Sequence, residues 1–230
     1  MPRRNLILMV VVGSLLSGGT SALAQSLTEG QIAVIQPRPV LVKHRLEVMP
    51  RFGATFNDPL ISQFHLGGSA YYHISERIHV GATFEWYDFG DFGGPTEAYD
   101  NLIRASSTIP EIAPLTYFTS LDVGWVPING KFALFDALIV YFDYYGVLGA
   151  GVVDSVGDPH PALTLAIGQR IFITDWLALL VELRDRAYFE PLPVAGDTLT
   201  NILSTSIGFS FFLPPDFEYS DQPERILDWE

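Results

Sequence analysis

From Arg45 onward, apolar and polar positions alternate residue by residue, the period of a β-strand with two chemically different faces. Leu46, Val48, Phe52, Ala54 and Phe56 lie on one face; Glu47, Met49, Arg51, Gly53 and Thr55 lie on the other. Asn57-Asp58-Pro59 reads as a turn. Phe64, Leu66, Gly68, Ala70, Tyr72 and Ile74 then oppose His65, Gly67, Ser69, Tyr71 and His73. After a tight turn at Ser75-Glu76-Arg77, Ile78, Val80, Ala82, Phe84 and Trp86 oppose His79, Gly81, Thr83, Glu85 and Tyr87. Residues 88–113 are irregular, with Thr96 placed to cap a short helix over residues 97–105. A fourth strand covers residues 115–125, and Pro127-Ile128-Asn129-Gly130 reads as a turn. Residues 131–137 are ambiguous, because Asp136 falls in the apolar register. Further strands follow from Leu138 to Val153, from Leu163 to Ile171 and from Leu177 to Arg186, with loops at 154–161 and 188–199. The last strand, residues 200–213, sets Leu203, Thr205, Ile207, Phe209, Phe211 and Leu213 against Ser204, Ser206, Gly208 and Ser210.

Eight strands, an even count joined by hairpins, with short connections after the second, fourth and sixth and longer ones after the third, fifth and seventh, match a membrane barrel. The first outer connection, residues 57–61, is shorter than that pattern expects. The polar face is built of Gly, Ser, Thr, His and a few charges, whereas the apolar face carries Leu, Phe and Tyr throughout. Lys43 and Lys131 are the only lysines, too few to clothe the outside of a soluble barrel of the lipocalin kind. The pattern therefore predicts an all-β fold, an eight-stranded antiparallel up-and-down transmembrane β-barrel of outer-membrane type over residues 45–213. Trp125 and Trp176 fall near one end of the strands and Trp86 near the other, where interfacial girdles are expected.

The flanks have a different character. Arg3-Arg4, the apolar run Leu6 to Leu16 and Ala22-Leu23-Ala24 read as a secretory signal peptide over residues 1–24, cleaved near Ala24. A single membrane anchor is the alternative, but glycines and serines interrupt the run and it is short for a spanning helix. Residues 25–44 hold Pro37 and Pro39 and form a periplasmic lead-in; residues 214–230 form an acidic periplasmic tail. The formal charge is −13, and losing Arg3 and Arg4 takes it two lower, which disfavours a nucleic-acid partner. With no cysteine there is no disulfide, thiolate metal site or lipid-modified N-terminal cysteine.

The last strand ends as Ser206-x-Gly208-x-x-Phe211-x-Leu213, which resembles the closing-strand signal by which outer-membrane barrels are recognised for insertion. Asp58, Gly130-Lys131-Phe132, Phe142-Asp143, Trp176-Leu177-Ala178, Glu182-Leu183-Arg184-Asp185 and Gly208 to Leu213, in that order, carry a broader likeness. The stretch from Ile32 to Pro214 resembles a family of paralogous outer-membrane β-barrel domain proteins from gliding predatory bacteria. Some members look like parts of envelope-spanning gliding-motility machinery, so the resemblance implies an assembly or scaffold role at the cell outer membrane.

The inward face holds Glu47, Arg51, Glu85, Asp122, Asp143, Arg170, Glu182 and Arg184. In a barrel this narrow opposite charges should pair into a lumen ion-pair network, with a small-solute porin-like path as the alternative. His73 and His79 should face each other across strands; with no evident third ligand, no metal is expected. His65 and His160, with Ser62 and Ser155 nearby, are the residues that a lipid-modifying barrel enzyme could use, but no catalytic motif is present and none is expected to act. The acidic outer-loop residues Asp88, Asp91 and Asp100 could hold calcium weakly, though solvated charge is the plainer reading. No cofactor and no small-molecule substrate are expected. Partners are outer-membrane lipid and other envelope proteins, for which Phe89, Phe92, Tyr99, Leu227 and Trp229 are the candidate contacts.

Overall fold

A computed structural model of the chain describes residues 40–87, 93–106, 112–134, 138–155, 158–192 and 196–215. The signal segment, most of the lead-in and the tail beyond 215 lie outside these residues, as do Asp88, Phe89, Asp91, Phe92, Leu227 and Trp229.

Eight long strands form the ring: β1 (Leu46–Thr55), β2 (Ile61–His73), β3 (Ile78–Trp86), β5 (Leu115–Leu134), β6 (Leu138–Ser155), β7 (Asp158–Phe172), β8 (Leu177–Leu192) and β9 (Gly196–Leu213). Each pairs antiparallel with its neighbours, and β1 closes on β9. A three-residue strand, β4 (Gly93–Pro95), adds to the start of β2 and leads into the helix α1 (Glu97–Ser106). Closure removes every edge within the ring, the condition for placing backbone amides in lipid.

The register fixes the size of the ring. Thr55 pairs with Ser204, Ser204 with Arg184, Arg184 with Ala166, Ala166 with Val147, Val147 with Gly124, Gly124 with His79 and His79 with His73. The amide of His73 then donates to the carbonyl of Arg45, so one circuit returns to β1 ten residues from its start. A ten-residue offset over eight strands tilts them by about 40° and gives a backbone diameter of about 16 Å.

Alternation then decides which side meets lipid. Leu121 is 73% exposed on the outer wall, and Leu148, Leu163, Leu165, Ile167 and Ile207 are also exposed there. The inward Glu47, Glu85, Arg170, Arg184 and Tyr71 are fully buried. A soluble barrel has the opposite arrangement, so the exposed apolar wall makes this a transmembrane barrel. At the lower end, where the described chain enters and leaves the ring, Trp176 stacks on Phe211 at 6.3 Å and Trp125 is exposed. At the upper end Phe84 stacks on Tyr117 at 6.5 Å and Phe52 on Phe64 at 5.7 Å, near Trp86. Roughly ten residues of tilted strand separate these girdles, about 25 Å of wall.

Four features depart from the sequence pattern. Pro127 to Gly130 is not a turn: β5 runs on to Leu134, and a register shift between Trp125 and Ile128 absorbs the extra residue. The loops expected at 154–161 and 188–199 are mostly strand, because β6 to β9 extend well above the upper girdle. The expected helix forms as α1, but Thr96 does not cap it through its side chain: its hydroxyl donates to the carbonyl of Pro59, and its own carbonyl receives the amide of Asp100. The short first outer connection is stabilised by Asn57, whose side chain accepts from the amide of Leu203 at 2.8 Å and donates to the carbonyl of Asn201 at 2.7 Å, replacing a strand residue that β1 lacks.

Candidate functional site

The lumen concentrates the chain's chemistry. Inward positions of every strand converge on a space about 16 Å across at the backbone, which side chains fill. The structure brings all eight expected lumen charges there, fully buried or nearly so. They organise around three groups of carboxylates. Near the lower end, Glu47 meets His73 Nε2 at 2.8 Å and Arg170 Nε at 2.8 Å, and accepts a hydrogen bond from the Ser210 hydroxyl. Arg170 also approaches Asp143 at 3.5 Å, with its guanidinium 4.4 Å above the Tyr145 ring.

In the middle, Glu182 pairs with Arg184 at 2.9 Å and Arg51 at 3.4 Å, and the Tyr145 hydroxyl donates to it at 2.7 Å. Asp122 meets Arg184 at 3.5 Å and accepts from Tyr71, Thr83 and Ser120 at 2.6–2.7 Å. Above, Glu85 meets Arg51 at 2.9 Å, pairs closely with Arg186 and accepts from Tyr87 at 3.0 Å. Arg186 lies on the inward face of β8 beside Arg184; its spacing in the sequence already placed it there, although the expected network left it out. Five carboxylates thus face four guanidiniums, with Arg45 a fifth at the lower mouth.

Apolar layers close both ends. Tyr87, Leu115, Phe118, Val153, Ala162, Tyr188 and Ile202 form the upper layer. Val40, Val42, Phe172, Ala178 and Phe212 form the lower one, packed against Tyr141. Val40 and Val42 belong to the end of the expected periplasmic lead-in, and residues 40–45 plug the lower mouth of the barrel. Glu76 holds them by accepting the amides of Val42 at 3.3 Å and Lys43 at 3.0 Å. Arg45, 2% exposed, donates to the carbonyls of Leu41, Asp175, Phe212 and Pro214 at 2.8–3.0 Å. No local signal marks this plug, since its partners lie up to 169 residues away.

The other candidates stay apart. His73 and His79 face each other with ring centroids 5.0 Å apart, but Glu47 holds His73, and among the described residues no three His, Cys, Asp or Glu are placed to share a metal. His65 bonds Ser206 at 3.0 Å rather than Ser62. Ser155 donates to Glu190 at 2.6 Å, while His160 stacks on Tyr188. Neither serine has a histidine base. Tyr99 is half-buried on α1, where Asp100 is exposed.

No protein-family model and no curated protein sequence matches the chain. Among solved structures, the chain is similar to the outer membrane protein OprG from Pseudomonas aeruginosa at 13% identity, covering 75% of this chain and 97% of that one, with a TM-score of 0.44. The N-terminal barrel domain of Pseudomonas aeruginosa OprF gives 10% identity, 74% and 98% coverage and a TM-score of 0.41. Neisserial surface protein A gives 12% identity, 73% and 94% coverage and a TM-score of 0.38. The fold assignment rests on this chain's own closed ring of strands and its apolar wall.

Proposed function

We propose that the chain is an outer-membrane barrel with a structural or interaction role and no catalytic one, seated with its lower end in the periplasm. The sealed lumen carries this reading. A solute would have to displace two apolar layers and an ion-paired interior in which each charge holds a partner, so the interior serves stability rather than transport. What remains for function are the outer loop with α1, where Leu102 is exposed, the lipid-facing wall and the chain ends. The resemblance to barrels of gliding bacteria supports a place in an envelope-associated assembly such as gliding-motility machinery, with Tyr99 and the tail residues Leu227 and Trp229 as contacts.

Two measurements test this. Crosslinking in the native envelope followed by copurification should recover defined envelope proteins with the barrel. Single-barrel recordings in planar bilayers should show no steady open-state current. A stable conductance together with empty crosslinks would replace this reading by a small-solute channel.

A further inference from the structure

The β5–β6 hairpin overshoots the lower rim. β3 follows β5 only to Ile78 opposite Trp125, where the carbonyl of Arg77 receives the amide of Val126. Beyond that point β5 has, among the described residues, only β6 beside it, down to Leu134 opposite Leu138, while β7 leaves β6 at Phe172 opposite Tyr141. At about 3.3 Å per residue and the strand tilt, Phe132 stands about 10 Å past Ile128.

The projecting hairpin keeps two faces. Ile128 opposite Tyr144, Gly130 opposite Phe142 and Phe132 opposite Val140 continue the outward positions of β6, which alternate without a break, while the bulge after Trp125 brings β5 into phase with them. Ile128 and Phe132 are exposed. The Phe142 ring covers Gly130 so closely that an added Cβ would sit 2.7 Å from its Cζ. Its centroid is 5.8 Å from that of Phe132 and 5.6 Å from that of Tyr144. The other face carries Asn129 opposite Asp143 and Lys131 opposite Tyr141. The apolar face is therefore in phase with the lipid-facing wall, and the polar face with the lumen.

The geometry points to a phospholipid-docking surface: the outward face of this hairpin sits in the headgroup layer of the adjoining leaflet and anchors the barrel there on one side. Continuity with the wall names the occupant, since the same face a few residues above is the apolar wall that meets lipid. Aromatic rings suit this layer, which is about 5–8 Å deep on each side of the hydrocarbon. The inference rests on the membrane reading of the barrel but not on its conductance or its partners.

The chain has no cysteine, so single labels are clean. Nitroxide is placed through Phe132→Cys or, separately, Ile128→Cys in the full chain, folded into phospholipid vesicles without other protein. Leu121→Cys marks the wall and Asp58→Cys the outer turn. Collision with oxygen relative to a water-soluble nickel chelate reads depth. Both labels should fall between the two references, that at 128 deeper than that at 132, and both should shift toward the aqueous value when Phe142→Ser is added. A value at both positions equal to that of Asp58 overturns the proposal. So does a label shielded from both colliders until the chain is truncated after Pro215, which would show the chain's own tail covering the face. If Leu121 itself reads aqueous, the membrane assignment fails first.

Discussion

Glu85 is the sharpest test of the sealed lumen. Its Oε1 receives two bonds from Arg51, at 2.9 and 3.2 Å, and its Oε2 pairs with Arg186 and accepts from Tyr87. Glu85→Gln keeps the shape and removes one charge. Arg51 retains Glu182 at 3.4 Å, but among the described residues Arg186 has no second carboxylate within ion-pair distance and keeps the Ser204 hydroxyl at 2.8 Å and the Phe118 ring, 4.9 Å from its guanidinium carbon. A fully buried guanidinium stripped of its counter-ion costs about 3–5 kcal/mol. Adding Arg186→Met removes the stranded charge and should restore most of that loss, since a buried pair replaced by apolar bulk is often neutral. The assay is urea unfolding of the vesicle-folded barrel, followed by its altered gel migration when unheated. A loss below about 0.5 kcal/mol for the single variant would mean water reaches the site and screens the charge, and the lumen would not be sealed.

Other outcomes follow from separate parts of the ring. Arg45→Met breaks four bonds to carbonyls from a charged donor and should lower stability by about 2–3 kcal/mol, with protease cleavage near residue 42 appearing only in the variant. Gly168→Ala drives a methyl into the Tyr145 ring at the centre of the lumen and should cost about 1–3 kcal/mol, whereas Gly146→Ala, where the nearest atom would be 3.8 Å away, should be nearly silent. Truncation after Pro215 should leave the barrel's heat-shifted migration intact while removing copurified periplasmic proteins; retention of all of them would move recognition to the outer loop or the wall.

Much of this architecture could be read from the chain, because a period of two assigns every strand residue to a face, and the shortage of lysine decides which face meets lipid. That is why the sequence alone groups Glu47, Arg51 and Glu182 on one inward face. Pro127-Ile128-Asn129-Gly130 misled because its residues are those of a turn, and only pairing with β6 shows that a bulge carries the strand through them. The plug was hidden for a different reason. Val40 and Val42 look like any two valines between prolines, and their burial depends on Phe172 and Phe212, which chain closure brings near. Asn57 was read as a turn residue, and its side chain instead extends the β1–β9 ladder.

The Arg45 contacts impose an order on events. The carbonyls of Phe212 and Pro214 come into place only when the last strand has laid itself against the first, and that of Asp175 only when the β7–β8 turn is formed. All four bonds of the guanidinium can therefore form only after the circle is complete. Before that moment the plug is held by Glu76 and the carbonyls of Leu41 and Asp175; afterwards the closed ring fixes it. The plug is thus a record of finished assembly, and a protease that cuts near Val42 would distinguish newly inserted chains from mature ones.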